Sequence, residues 1–448
     1  MLRHDYPALA KCLSPMLDGN PQGFELVLKD KLDEIADFEL FLEALRNLGN
    51  DQDRQERILG VFVYKDFLTH LSELQQVQLY QVIGDSLGSS LRELSFSFAT
   101  IKIPALTVLL RRTPQLQKLY FGRVVLLERD QVSDFYIALK QLCYLSEFHC
   151  SFVLAPALQD AAQTALYQGG QGANSVDALL VSLSQIASLK TVYFAAPPRS
   201  RGSQIRQPSS LQALASSSNV ENLTLMNYQL SAAHVTALLS ENSNIKSLAL
   251  IQAEIGDTGM TVIVKALHQH PNSKLRKLYL PGNGVSDVGG VAIAQAIRES
   301  QLEVLDLHRN DLTANFAKVM AETLQTKSST LKFLDVSHNP LKDKGGIALA
   351  CGLCDNNELE QLNLFCNQIS DRTCSALANA LKCNRQLKRL NLYNNEKIGR
   401  KGAKCLAEHI ESDNFVLERL ELKGNHRKLD LNREFRRGEL LKESTTED

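Results

Sequence analysis

The sequence predicts an α/β solenoid, a coil of strand–helix units with parallel strands on a concave face and helices on the convex face. Three observations carry this. The phrase LEVLDLHRNDL at Leu302 returns as LKFLDVSHNPL at Leu331 and as LEQLNLFCNQI at Leu359. Phrases of the form LxxLxLxxN open at Leu275, Leu302, Leu331, Leu359, Leu387 and Leu417, at spacings of 27, 29, 28, 28 and 30 residues. Each is followed by a stretch of helical character, such as SDVGGVAIAQAIRES or SDRTCSALANALKCNRQ. Strand and helix alternating at a fixed period near 28 residues describe stacked repeats, each one a supersecondary unit.

Each fixed letter has a physical reason. Side chains alternate along a strand, so positions 4 and 6 of the phrase point together into the core, with position 1 entering just before them. Position 9 falls where the chain turns away from the sheet, and a buried turn leaves backbone N–H and C=O groups to be satisfied. An asparagine amide offers both acceptor and donors. Asn283, Asn310, Asn339, Asn367, Asn395 and Asn425 therefore predict a structural ladder. One repeat alone buries about seven apolar side chains, worth roughly 10–20 kcal/mol. Ordering its residues costs about 1–2 kcal/mol each, so only a stacked, capped run is stable.

The period and the helix in every repeat resemble the leucine-rich repeats of the ribonuclease-inhibitor type, over these six phrases. Repeats of that type also supply the ligand-recognition arms of many innate-immunity receptors. The resemblance implies a leucine-rich-repeat solenoid in the form of a horseshoe.

Along the chain, residues 1–57 are expected to be a mainly helical N-terminal cap, with an amphipathic helix between Phe24 and Leu48. Residues 58–90 read as a degenerate zeroth repeat with Leu59, Phe62 and Tyr64, followed by the helix ELQQVQLYQVIGDSLGS. Residues 91–274 hold degenerate repeats opening at Leu91, Leu116, Leu145, Leu189, Val220 and Ile245, with Ala99, Val124, Val153, Pro197, Tyr228 and Ala253 at the asparagine position. Insertions at 154–188, containing LYQGGQGANS, and at 195–210, containing Arg199, Arg201 and Arg206, read as surface loops. Residues 275–430 are the regular repeats, and 431–448 form a charged tail.

Composition narrows the function. A formal net charge of −1 gives no reason to expect nucleic acid or an anionic membrane as partner. The sequence lacks an apolar run long enough to span a bilayer. Nine scattered cysteines, an odd count, fit reduced thiols in a cytoplasmic compartment.

Catalytic and metal motifs are weak. GGQG lacks the Gly-Lys-Ser/Thr ending of a phosphate loop. Cys351 and Cys354 form a CxxC, but the ligand spacing of a zinc site is missing, and ALACGLC reads as core filler. Asp306 and Asp335 share position 5 of adjacent repeats, about 4.8 Å apart, with His308 and His338 nearby. An open sheet gives such a pair no dry pocket, so no catalytic, cofactor or metal residue is assigned. Nucleophile-elbow, zinc-protease and kinase signatures are absent from the sequence. The chain reads as not an enzyme.

The residues without structural duty lie at positions 3, 5 and 7. Among them Tyr279, Asp306, His308, Phe333, Asp335, Phe365, Arg389, Tyr393 and Arg419 are expected to bind a partner. Aromatics beside arginines and aspartates have the composition of protein interfaces. Twelve strands give an inner arc of about 55 Å, sized for a protein. The expectation is a monomeric, non-catalytic interaction module that holds a protein on its concave face.

Two alternatives stay open. The stretch ELLKESTTED resembles the glutamate-rich, Ser/Thr-containing export signals of type IV-secreted effectors of intracellular bacteria, which implies export into a host cytoplasm. The repeats also resemble those of the Ran GTPase-activating protein family, which implies a GTPase regulator. That family has a strongly acidic C-terminal region and an arginine in an early loop. Here FRRGELLKESTTED is mixed in charge, and none of the arginines matches that loop by motif.

Overall fold

The computed structural model describes residues 13–15, 24–28, 35–51, 58–68, 71–127, 132–154, 175–197, 205–216, 219–241, 243–270, 273–326, 329–413, 416–422, 424–425 and 434–436. They fall into two compact units, Met1–Tyr228 and Gln229–Asp448.

The first unit opens with an antiparallel pair, β1 (Leu13–Pro15) and β2 (Phe24–Leu28). From β2 a parallel series runs through β3 (Ile58–Tyr64), β4 (Glu93–Ser97), β6 (Lys118–Leu127), β7 (Glu147–Leu154), β8 (Thr191–Ala195) and β9 (Asn222–Met226). The short β5 (Thr100–Lys102) pairs with the far half of β6. Between the strands come α1 (Ile35–Gly49), α2 (Lys65–Leu68), α3 (Glu73–Leu87), α4 (Ile103–Arg111), α5 (Val132–Lys140), α6 (Ser175–Leu183) and α7 (Pro208–Ser216). From α3 onward each helix packs on the next.

Several boundaries differ from the sequence reading. The expected cap helix from Phe24 to Leu48 is a strand followed by the helix α1. In β2, Leu26 and Leu28 are fully buried while Glu25 and Val27 are half-buried. This period of two, set against the parallel edge of β3, prevails over a helical pattern that starts only at Phe38. In the zeroth repeat the inward residues are Ile58, Val61 and Val63, one place before Leu59, Phe62 and Tyr64. Val61 lies opposite Leu94 and Val63 opposite Phe96, which sets the register. The segment 154–188 contains the repeat's own helix α6, with Val176, Leu179, Leu180 and Leu183 buried; residues 155–174, with GGQG, lie outside the described residues. The end of the 195–210 segment is anchored rather than a loop. Ile205 is buried, and Asp177 accepts hydrogen bonds from Arg206 N and Gln207 N, both at 3.2 Å, and from Ser210 Oγ at 2.7 Å. Arg199 and Arg201 lie outside the described residues.

The second unit holds the regular repeats. Its parallel strands are β10 (Ser247–Ile251), β11 (Lys277–Tyr279), β12 (Val304–Asp306), β13 (Phe333–Asp335), β14 (Gln361–Asn363), β15 (Arg389–Asn391) and β16 (Arg419–Glu421). Their helices are α8 (Ala232–Leu238), α9 (Gly256–Gln269), α10 (Asp287–Ala296), α11 (Ala314–Leu324), α12 (Lys342–Cys354), α13 (Asp371–Cys383) and α14 (Arg400–Asp413). Strands β11 to β16 each cover positions 3 to 5 of the phrase. Leu278, Leu305, Leu334, Leu362, Leu390 and Leu420 stand in one cross-strand row and are 0–1% exposed. The expected charged tail contains β17 (Glu434–Arg436), antiparallel to β16; the rest of 431–448 lies outside the described residues.

The asparagine ladder forms as its chemistry predicts. Asn310 Oδ1 accepts from Asn283 N and Val285 N, both at 3.0 Å. Asn310 Nδ2 donates to Leu280 O at 3.0 Å and to Leu307 O at 2.9 Å. Asn395 repeats the pattern, accepting from Asn367 N at 2.7 Å and donating to Leu364 O at 2.9 Å. Each amide thus binds the backbone of the preceding repeat. The residue before the asparagine takes a left-handed backbone, with φ of 55° at Arg309, 53° at His338, 54° at Cys366 and 54° at Asn394. Such non-glycine residues cost about 1–3 kcal/mol each, and the ladder offsets them.

A second ladder has no counterpart in the sequence reading. Asp287 Oδ1 accepts from Thr313 N at 2.8 Å and Phe316 N at 3.3 Å, at the start of the next repeat's helix. Asp257, Asp343 and Asp371 hold the next helix start in the same way. Carboxylates suit helix N-termini because the first N–H groups there lack intrahelical partners.

Asn339→Ala strands Leu312 N and the carbonyls of Leu307 and Val336, all bound by its amide. It is expected to cost about 2–4 kcal/mol, a fall of roughly 5–15 °C in melting temperature. Asn357→Ala, at an exposed site, should cost less than about 0.5 kcal/mol. Equal melting temperatures for the two variants would refute the ladder's role.

Candidate functional site

On the strand face of the second unit, register alone brings the predicted residues into two rows. Tyr279, Asp306, Asp335, Asn363, Asn391 and Glu421 face one another across position 5. Lys277, Val304, Phe333, Gln361, Arg389 and Arg419 do so across position 3. Position 7 adds His308, Phe365 and Tyr393; Lys423 there lies outside the described residues.

The rows divide into three groups. The first is acidic and imidazole-bearing. His308 Nδ1 lies 2.8 Å from Asp306 Oδ1, which also accepts from His308 N at 2.9 Å. Asp335, 8% exposed, accepts from Ser337 N at 2.8 Å and from Asn363 Nδ2 at 2.6 Å. The hydrogen bond to Asp306 holds His308 above its ordinary pKa, against an opposing effect of burial. Burial first, and then the Asp306 charge, push Asp335 up. Tyr279, opposite Asp306, is raised by burial and by that carboxylate.

The second group is aromatic. The rings of His338 and Phe365 meet edge-on at 4.5 Å, and those of Phe365 and Tyr393 lie 4.9 Å apart. Tyr393 rests over Gly424, where an added Cβ would come within 3.2 Å of its ring. Burial, and then Arg309, lower the pKa of His338. The third group is basic: Arg389 and Arg419 are cross-strand partners, and Arg419 Nε pairs with Glu421 Oε1 at 2.8 Å.

The aromatics differ from the reading that they stand free in water. Tyr279, Phe333, Phe365 and Tyr393 are all half-buried, and neighbouring repeats place the rings of Phe365 and Tyr393 side by side. Phe333 and Tyr279 do not join the ring cluster; His338 does. Its part is hidden in the phrase, where position 8 carries no meaning beyond the turn before the asparagine. The sulfur chemistry also differs. Cys351 is exposed and Cys354 half-buried, so CxxC is not core filler, although Leu349, Ala350 and Leu353 around it are.

Ligand atoms of Asp306, His308 and Asp335 lie within 4.8 Å of one another. A metal would have to draw such atoms to about 2.0–2.2 Å from itself. Asp306 Oδ1 and both Asp335 oxygens already serve backbone N–H, imidazole and amide donors. Asp306 with His308, and Asp335 with Ser337 and Asn363, thus form two hydrogen-bonded sets side by side.

The family model described as Leucine Rich repeat matches residues 272–294, 327–350, 355–378 and 383–407. These are four of the six in-register units. The chain is a leucine-rich-repeat protein of the ribonuclease-inhibitor type. It is similar to the ribonuclease inhibitor of Sus scrofa, 31% identical over 159 residues that cover 34% of each chain. It is also similar to the NACHT, LRR and PYD domains-containing protein 14 of Homo sapiens, 29% identical over 131 residues, 29% of this chain and 12% of that one. The match thus spans about a third and about an eighth of these relatives' lengths. Among solved structures, that of the Rad7 and Elc1 complex in yeast is similar over 87% of this chain and 85% of that one, at 16% identity and a TM-score of 0.46. In this leucine-rich-repeat chain, none of the helices among the described residues is long and apolar enough to cross a membrane.

The raised values set a pH dependence. A folded pKa above the unfolded one contributes stability that is complete below the unfolded value and lost as pH rises through the folded value. For His308 that loss begins above about pH 6.5. The melting temperature is expected to fall as pH rises above about 6.5, and Asp306→Asn should flatten the decline. An Asp306→Asn protein with the same slope would assign the dependence elsewhere.

Proposed function

We propose that the strand face of the second unit is a non-catalytic docking surface for a folded protein partner, centred on the ring cluster of His338, Phe365 and Tyr393. The observation that carries this reading is the cluster itself. Three rings stand half-exposed at positions where the stack requires only backbone and asparagine. Aromatic anchors bordered by arginines are the composition of interface centres; Arg389 and Arg419 supply that border, and Tyr279, Phe333, Asp306, His308 and Asp335 extend the surface. Six strands at about 4.8 Å span roughly 24 Å, a width suited to a protein surface. The porcine relative is by name an inhibitor of a ribonuclease, which supports a protein as the ligand class. Nine cysteines, with no disulfide among those described, support a reducing, cytoplasmic setting. Delivery into a host cell would bring the same surface to a host protein, and a translocation reporter fused with and without Glu439–Asp448 reads that directly.

Phe365→Ala with Tyr393→Ala is expected to remove partner capture by more than about tenfold while lowering stability by only about 1–3 kcal/mol. The readout is quantitative mass spectrometry of proteins captured by wild-type and variant chains, then binding of the purified partner. An unchanged captured set would exclude this cluster as the docking centre.

A further inference from the structure

One boundary between repeats of the second unit sets two carboxylates directly opposite each other. Asp306 and Asp335 are cross-strand partners at position 5 of β12 and β13. Like charges so placed destabilise a strand pair, and little water reaches these two: the Asp306 side chain is 13% exposed, and Asp335 as a whole 8%. Among the described residues, the sole ion-pair partner of either is His308, on Asp306. Surface carboxylates often gather for no purpose, but water screens them there. These two are largely withdrawn from it.

The three side chains converge. One ligand atom from each of Asp306, His308 and Asp335 lies within 4.8 Å of the other two, and His308 Nδ1 stands 2.8 Å from Asp306 Oδ1. Ligands of a tetrahedral ion lie about 3.4 Å from one another, a spacing that modest side-chain rotation supplies here. The hydrogen bonds already present do not exhaust the oxygens, since each carboxylate oxygen carries two lone pairs. Among the described residues none donates to Asp306 Oδ2. Donors outside the trio fix the carboxylates instead: Ser337 N and Asn363 Nδ2 hold Asp335, as outer partners orient ligands at metal centres.

We propose that Asp306, His308 and Asp335 bind a zinc ion across the boundary between two repeats. The ion takes the place of the proton between His308 Nδ1 and Asp306, and that proton leaves to solvent. Two positive charges then face the two carboxylates, where a proton supplies one. An imidazole nitrogen with two carboxylate oxygens is a donor set for zinc, whereas magnesium and calcium take six or more oxygens. Three protein ligands leave the fourth tetrahedral position to water. The open sheet, which offers no dry pocket for acid–base chemistry, gives the ion its path from solvent past the half-buried His308. Bound there, zinc ties the repeat that opens at Leu302 to the one that opens at Leu331.

The test uses the full chain, thiol-reduced and stripped of metal by a chelator, and titrates it with cobalt(II), a coloured substitute for zinc. The expected visible spectrum is that of nitrogen and oxygen ligands, and zinc should abolish it by displacing the cobalt. His308→Gln and Asp335→Asn should each weaken binding at least about tenfold. His268→Gln, exposed on α9, and Phe365→Ala should leave it unchanged. Zinc should also raise the melting temperature of the wild type, and raise that of His308→Gln less. Metal-free melting curves confirm that each variant folds, and His308→Gln decides if Asp335→Asn does not. A thiolate-to-cobalt charge-transfer band would move the ion to the cysteines and overturn the proposal. So would His308→Gln binding as tightly as the wild type, which means an adventitious ion only, or magnesium binding as tightly as zinc, which means unselective attraction of charge.

Discussion

A chain that turns within its own interior must find partners for every N–H and C=O it takes out of water. In the second unit one side chain per repeat meets this demand. The amide of Asn310 binds backbone groups of its own turn and of the one before it, and Asn395 does the same three repeats further on. With the turn satisfied, the strand can be cut to three residues and the backbone can adopt a left-handed step at Arg309 or His338. In the first unit the amide is missing, and although Phe98 and Asn227 keep the left-handed step before Ala99 and Tyr228, two repeats lose the turn. Val124 and Val153 occupy the same position there, and β6 and β7 run on for 10 and 8 residues instead of turning.

The fold is legible where the phrase is intact, because its letters report burial and backbone satisfaction directly. Its six openings predict six parallel strands, and the structure cuts each to three residues in the same register. Where the asparagine is replaced, the repeats can still be counted, but their phase cannot be read. The inward set Ile58, Val61 and Val63 is hard to tell from its neighbours because β-branched and aromatic residues crowd both faces of β3. FELVL fits a helix as well as a strand because five residues suit either period, and only the adjacent edge of β3 decides between them. The aspartates of the second ladder recur at a fixed distance after the leucine. They stay hidden in the sequence because a carboxylate at the start of a helix needs no neighbouring repeat to explain it.

The candidate surfaces are less legible, for a related reason. Alternation says which side chains leave the core, but not how far their rings lean on one another. Phe365 and Tyr393 follow from the columns, whereas their packing with His338 depends on the left-handed step that re-aims that imidazole. On the strand face of the first unit, a row of rings from Tyr120, His149 and Tyr193 obeys the same alternation, in repeats whose worn phrases leave the outward positions unmarked. The two faces differ in chemistry. One places a ring cluster near arginines and an acid–imidazole group, and the other sets a row of rings beside the small side chains of Ser97, Gly122 and Ser151.

At each boundary in the second unit the asparagine of the later repeat holds the earlier one, and at most of them the aspartate of the earlier repeat holds the later one. Such reciprocal stitching fixes the interval between turn and helix start, so a stray residue inserted there would unfasten groups on both sides. Growth of this unit is therefore quantised: it can gain or lose whole modules, but not fractions of one. The 20 extra residues at 155–174 enter the sequence directly after a strand whose turn position is Val153 instead of asparagine.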